Sequence, residues 1–443
     1  MSGITSVIFG NMTNISKKLH KVLPKAAMNI LKTVGKTADG YGYKVYLVGG
    51  MVRDIFLGIG QIDFDFTVER DAVKFAETLA KKLKGKVVNY KRFGTATIYA
   101  RNGLRTDLST ARREKYVKPG ALPKVRPGVI RDDMHRRDFT VNAMAVSLNK
   151  CRFGELIDFY GGIRDLKEKR ISVLHEESFI DDATRILRAV RFESRYGFRM
   201  DARTESLLKK ALKRKIFSTI SPERFRNEIV YLLNEPEPIK PLERMKELGI
   251  LRFIDGSMKL SEESAGIIRN IGKSIRQDKA LYGDSGIKGW LIYLMALTHG
   301  FKRNRLEGLS SKLALSSDER KKLLSLESLP AKERFLRSGK RLPPSRVFSL
   351  LKDLSPEAMV LLASSGGSKR LNARVREYLK KYSDAGLLIS GEDFKKRGFV
   401  PGPAFRRVLE DTLYAKLDGK IKGKNQELDF AITRLQYGKR EMI

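Results

Sequence analysis

Two aspartates two residues apart, Asp63 and Asp65, stand in a β-rich run from Ile62 to Val68. Side chains at i and i+2 of a strand share a face. The two carboxylates therefore project together, with Ile62, Phe64 and Phe66 on the other face. Adjacent carboxylates repel unless a cation sits between them. Hard oxygen ligands of this kind suit Mg²⁺, which usually takes one or two carboxylates plus substrate phosphates. Just upstream, Lys44 to Val48 reads as a strand that ends in Gly49 and Gly50. Paired glycines let the backbone approach a phosphate, and the start of a following helix favours an anion. That helical turn carries Arg53 and Asp54. The constellation suits a divalent ion and a phosphate-bearing substrate.

Two later segments carry further chemistry. Arg136 to Ala145 places Arg136, Arg137 and Asn142 at the opening of what reads as an apolar helix. Arginine gives fixed, bidentate contacts to phosphate oxygens, and Asn142 can both donate to and accept from a sugar hydroxyl. Ser178 to Phe192 reads as one capped helix with acids in its first turn, where the dipole favours them. Arg185, Arg188 and Arg191 recur every three residues and form a row along one side. Asp182 falls on the side of Arg185 and can pair with it. The plainer account is a solvated basic face, but Ile186, Leu187, Ala189 and Val190 already supply a buried stripe and leave the row aimed elsewhere.

In this order, the segments resemble the signatures of class II tRNA nucleotidyltransferases and bacterial poly(A) polymerases, within the DNA polymerase β superfamily. The similarity is continuous from residue 47 to about 235 and returns at Leu388 to Phe394, Gly398 to Ala404 and Leu417 to Ile421. It implies that Asp63 and Asp65 are the catalytic, metal-holding pair. It implies that Gly49, Gly50, Arg53, Arg137 and Asn142 bind the nucleotide's triphosphate and ribose. Asp182 and Arg185 would read the base edge as a protein template, assisted by Arg188 and Arg191. The family's commonest form has Glu where this chain has Asp181. Asp158 with Gly161 to Leu166 resembles a structural element, and the closing segments resemble a tail that grips tRNA.

Composition fits such a partner. The chain has 443 residues and a formal net charge of +37, which calls for an anionic macromolecule, most simply nucleic acid. No apolar run approaches the roughly 20 residues needed to span a bilayer, so no membrane association is expected. One cysteine, Cys151, excludes an internal disulfide and a cysteine-based zinc site and fits a cytoplasmic location. The expected fold class is an α/β catalytic head, polymerase β-like, followed by an all-α neck, body and tail. The expected divisions are a basic N-terminal arm and helix at 1–40, the head at 41–170, the neck at 171–236, the body at 237–385 and a tRNA-binding tail at 386–443. Within the head, a helix is predicted over Asp71 to Lys84, and strands over Lys86 to Tyr90, Thr95 to Ala100 and Leu104 to Leu108. A polar loop is predicted over Arg112 to Pro127, and strands all but vanish after Ile171.

The expected activity is template-independent addition of nucleotides to the tRNA 3′ end with Mg²⁺, from ATP and, for full CCA addition, CTP. No protein partner is expected. A poly(A) polymerase is the alternative, and a noncatalytic RNA-binding protein a more distant one. Addition of CC alone is least favoured, because the segment between the first two signatures, Arg112 to Asp133, looks full length. A-only and CCA addition stay open.

Overall fold

The structure, a computed structural model, describes residues 13–60, 62–101, 103–282, 286–366 and 368–440. It forms two compact units, residues 1–228 and 229–443.

The first unit is built on one mixed sheet. Strands β1 (Lys44–Val48), β2 (Phe64–Glu69), β3 (Lys86–Tyr90), β4 (Thr95–Tyr99), β5 (Arg105–Thr110), β8 (Ala145–Ser147) and β9 (Leu156–Ile157) lie in the order β3-β4-β5-β2-β1-β8-β9. The remaining early pair, β6 (Arg112–Lys115) and β7 (Lys124–Pro127), forms a separate antiparallel hairpin. All neighbours in the main sheet run antiparallel except β2 and β5. Period-2 alternation explains β2: Phe64, Phe66 and Val68 are fully buried, and the two rings stack 5.7 Å apart. Truncating such a buried Phe to Ala typically costs about 3–5 kcal/mol.

Helices α1 (Ser16–Val22), α2 (Lys25–Gly40), α3 (Gly50–Leu57), α4 (Ala72–Lys82), α5 (Ile130–His135) and α6 (Gly162–Lys167) surround the sheet. Asp71 caps α4 by accepting from the amides of Val73 and Lys74. Ile130 and Met134 of α5 pack with Tyr46, Val48 and Ala145 in one core cluster. The carboxylate of Asp158 accepts from the amides of Gly162 and Ile163, so this segment is structural, as its sequence suggested. After it come α7 (Ser178–Asp181), α8 (Thr184–Tyr196), α9 (Ala202–Lys213) and α10 (Pro222–Leu233).

Several expectations need correction. The segment read as a basic arm contains α1, whose Leu19 is fully buried, and the Ile15 amide donates to Gly154 O at 2.7 Å. The apolar stretch Val7 to Gly10 lies outside the described residues. Strand β2 begins at Phe64 rather than Ile62, so Asp63 precedes it. The loop at 112–127 is the β6–β7 hairpin. The apolar run after Arg137 is a 3₁₀ turn, Thr140–Asn142, followed by β8, not a helix. A buried apolar run carries no period to tell strand from helix. The predicted helix at 178–192 breaks between α7 and α8, because the Asp182 carboxylate accepts from the Thr184 amide and hydroxyl and starts a new helix. A short parallel pair, β10 (Arg170–Ile171) with β11 (Arg199–Met200), was also not anticipated.

The second unit is helical. Its helices include Ile239–Glu247, Glu262–Tyr282, Gly289–Leu297, Arg303–Lys312, Ser317–Leu324, Leu329–Arg337, Pro344–Leu351, Pro356–Ser364 and Lys369–Glu377. Near its end, Ile389, Phe394, Val408, Leu428 and Ala431 form a separate small core under Pro403–Leu417 and Gly423–Arg440. Among the described residues, no helix is long and apolar enough to cross a membrane.

Candidate active site

Strand β1 delivers the chain to Gly49, which sits at φ +72°. A Cβ there would meet Nη1 of Arg137 at 2.8 Å and Oδ2 of Asp65 at 3.9 Å. Only glycine permits both the left-handed backbone and this close approach. The Gly-Gly turn, Asp65 and Arg137 are therefore gathered at one point. The Asp133 carboxylate, fully buried, accepts from Arg137 at 3.2 Å and from Arg136 at 2.7 Å. Burial alone would raise its pKa, but the two guanidinium groups hold it below the ordinary value. Arg137 is thus anchored at one edge. Its buried Nε has no protein partner among the described residues, a donor free for an anion.

Asp65 lies at the start of β2, second in the strand, and its parallel neighbour on β5 is Asp107. Burial first, then repulsion from Asp63 and Asp107, pushes the Asp65 carboxyl up to about 6, against the opposing pull of Arg137 and Arg105. Asp107 is itself held by the Thr97 hydroxyl at 2.6 Å and by Arg105 at 2.7 Å. Asp63, just outside the strand, is exposed. A cleft of about 440 Å³ opens beside Asp65, with Asp107, Arg137, Thr97 and Tyr90 on its walls. Among the described residues, no three His, Cys, Asp or Glu side chains form a ready-made metal cage. A pair of carboxylates that repel each other still fits one divalent ion whose other ligands are phosphate oxygens and water.

Beneath this surface runs a chain of hydrogen bonds. Arg53, 6% exposed, lies over the Tyr196 ring at 4.5 Å and donates to the Asn142 side-chain oxygen at 2.6 Å. Asn142 donates to Asp138 at 2.9 Å, and Asp138 also accepts from Arg188 at 2.6 Å. Arg188 approaches Glu228 at 3.7 Å, and Arg191 approaches the same carboxylate at 4.0 Å. Arg53 and Asn142 therefore lie below the site and connect it to α8.

The expected Asp182–Arg185 pair is not formed. Arg185 is 4% exposed and donates to the Ser178 hydroxyl at 2.7 Å and to Arg136 O at 2.8 Å. Asp182 instead pairs with Arg224 of α10 at 2.8 Å. The helix break places the two residues on different elements, which a single-helix reading put on one face. Sequence reasoning missed Asp107, Asp133, Asp138 and Arg224. The alternation of buried Thr106 and Leu108 around Asp107 was a usable signal. Asp138 and Arg224 act through partners distant in sequence, Arg188 and Asp182, whereas Asp133 holds Arg136 and Arg137, three and four residues further on.

A mixed sheet that presents a Gly-Gly turn, an anchored arginine and a carboxylate pair at the start of a strand defines a nucleotidyltransferase-type head. Comparison with known proteins agrees. Residues 45–172 match the family described as "Poly A polymerase head domain", and residues 197–255 match "Probable RNA and SrmB- binding site of polymerase A". An A-adding tRNA nucleotidyltransferase of Geobacter sulfurreducens is 35% identical over 94% of this chain, which spans about half (48%) of that longer relative. One from Halalkalibacterium halodurans is 30% identical, over 94% of this chain and 95% of its own. The solved apo structure of a CCA-adding enzyme superposes with a TM-score of 0.84 at 33% identity, over 95% of this chain and 99% of that one. The chain belongs to the class II tRNA nucleotidyltransferase family.

Proposed function

We propose that this chain adds nucleotides to the 3′ end of tRNA without a nucleic-acid template, using ATP. The observation that carries this reading is Asp65, its carboxyl pushed up by burial first and by neighbouring carboxylates second, beside a glycine turn that closely approaches an anchored arginine. In it, Asp63 and Asp65 hold Mg²⁺. A divalent ion held by these two carboxylates would supply Lewis-acid activation of the 3′-hydroxyl and would offset the charge of the leaving pyrophosphate. Gly49, Gly50 and Arg137 cradle the triphosphate. Arg53 and Asn142 support the ribose position from below through Asp138. Asp182 and Arg185 face the base, with Arg188 and Arg191 steadying α8.

Terminal A addition is favoured because both relatives cited above are named A-adding. Full CCA addition, with CTP as second substrate, is the next reading because the superposing structure is a CCA-adding enzyme. In the proposed division of labour, a basic N-terminal arm and helix (1–40) precede the head at 41–170, residues 171–236 form the neck that reads the base, 237–385 form the body, and 386–443 grip tRNA. The reaction is assigned to the cytoplasm, in keeping with a tRNA substrate and a single, exposed cysteine.

The test is magnesium-dependent incorporation of each nucleoside triphosphate into tRNA lacking A, CA or CCA, beside an unstructured RNA primer. Efficient extension of tRNA ending in CC by ATP alone is expected. Equal extension of unstructured RNA would turn the assignment to a poly(A) polymerase. Asp63→Ala or Asp65→Ala should abolish incorporation while tRNA binding stays nearly intact. Substantial turnover in either would remove the metal-site assignment.

A further inference from the structure

Arg224 joins two parts of the first unit that the reaction must coordinate. It lies in the first turn of α10, where Pro222 fits the start of a helix and the Ser221 hydroxyl faces its amide at 3.4 Å. Its guanidinium is forked. One nitrogen holds the Asp182 carboxylate at 2.8 Å, and the other donates to Gly120 O at 3.1 Å. Gly120 is the tip of the β6–β7 hairpin. Its amide donates to Ile180 O at 3.3 Å, in α7. It sits at φ +68°, and a Cβ there would lie 2.3 Å from the Thr219 hydroxyl. The hairpin tip is therefore seated in a notch that only glycine fits, and the residue that closes the notch is the one that aims Asp182.

The aim is nearly complete. Asp182 Oδ1 accepts from Arg224, from the Thr184 amide at 3.0 Å and from the Thr184 hydroxyl at 2.7 Å. These bonds pin Oδ1, and among the described residues Oδ2 has no hydrogen-bond partner. A planar fork pre-organises two acceptors at once, which a lysine ammonium does not. We propose that Arg224 is a specificity-positioning residue: it sets the orientation of the base-reading Asp182 and makes that orientation depend on the seated hairpin tip. This rests on the reading of Asp182 as a base-facing group given above. Arg224 itself need not touch the nucleotide.

The experiment is single-nucleotide incorporation into tRNA ending in CC, with each of the four triphosphates, for the full chain and its variants. Thermal melts run alongside to confirm folding. Arg224→Met should lower the preference for ATP over the other three by roughly tenfold, the size of one good base contact. The loss should fall on the ratio of kcat/KM values, with kcat for ATP changed less. Arg224→Lys, which reaches one acceptor at a time, should lie between. Gly120→Ala should reproduce the shift with Arg224 intact, and the double variant should be no worse than either single, because both break one linkage. An Arg224→Met that keeps wild-type ratios while Asp182→Ala loses them overturns the proposal. So does an additive double variant. Unchanged ratios in Asp182→Ala overturn it together with the reading it rests on.

Discussion

At the scale of single residues, the site is a problem in charge. Three carboxylates, Asp63, Asp65 and Asp107, approach one another, and only Asp107 is bonded to an arginine. Burial, and after it this repulsion, pushes the Asp65 carboxyl up to about 6. Only the deprotonated carboxylate binds a metal ion, so affinity for Mg²⁺ or Mn²⁺ should weaken as pH falls through about 6. An ordinary aspartate would stay ionised to near 3.8. Calorimetric titration of the ion at pH values above and below about 6 reads this directly. Affinity that is flat across that range would count against Asp65 as a ligand. Much of this was legible in the sequence, since Asp63, Asp65, Gly49 and Arg137 each carry a type and a spacing. What was not legible is who holds whom. Asp138 serves Arg188, and Asp182 serves Arg224, partnerships set by the packing of elements far apart in the chain.

At the scale of elements, the break between α7 and α8 is the feature that matters most. Just ahead of α7, His175 stacks on His135 of α5 with ring centroids 5.1 Å apart. Burial, together with the charge of Arg185 and His135, pushes the His175 imidazole down to about 4 from an ordinary 6.5. The nearest carboxylate oxygen, on Asp181, is 3.8 Å away, too far for a hydrogen bond. Between those two values the unfolded chain takes a proton that the folded chain refuses. This site's contribution to stability is therefore present at neutral pH and lost as pH falls from about 6.5 to 4. His175→Phe keeps a ring against His135 and removes the titration. Its melting temperature should fall less than the parent's over that interval, and parallel curves would show that the imidazole is not responsible. The β3 strand, Lys86–Tyr90, was read to the residue. The β6–β7 hairpin was not, because Arg112-Arg113-Glu114-Lys115 has no apolar alternation to announce a strand.

At the scale of the whole chain, the excess of positive charge is the dominant fact. It was plain from composition, and it reports on a partner rather than on the fold. A protein that neutralises about six phosphates loses roughly a thousandfold in affinity between about 50 and 200 mM salt. Binding of tRNA to this chain should show a log–log salt dependence of that steepness. A shallow slope would mean that the contacts are few or uncharged, whatever the +37 total. The tail sequence fits such a role, and its small separate core around Phe394 shows how few apolar residues hold it together.

The sheet order also has a temporal side. Strand β1 has β2 on one flank and β8 on the other. As a chain emerges from the ribosome, β2 follows β1 closely, but Ala145–Ser147 comes only after the hairpin, α5 and the Arg136–Asn142 segment have been made. Until then the β8 flank of β1 offers unpaired amides and carbonyls beside Leu47 and Val48, the kind of edge that recruits foreign strands. The strand that leads into the glycine turn is thus the last in the sheet's middle to be shielded, and the newborn head is most vulnerable at the edge from which its chemistry will later be launched.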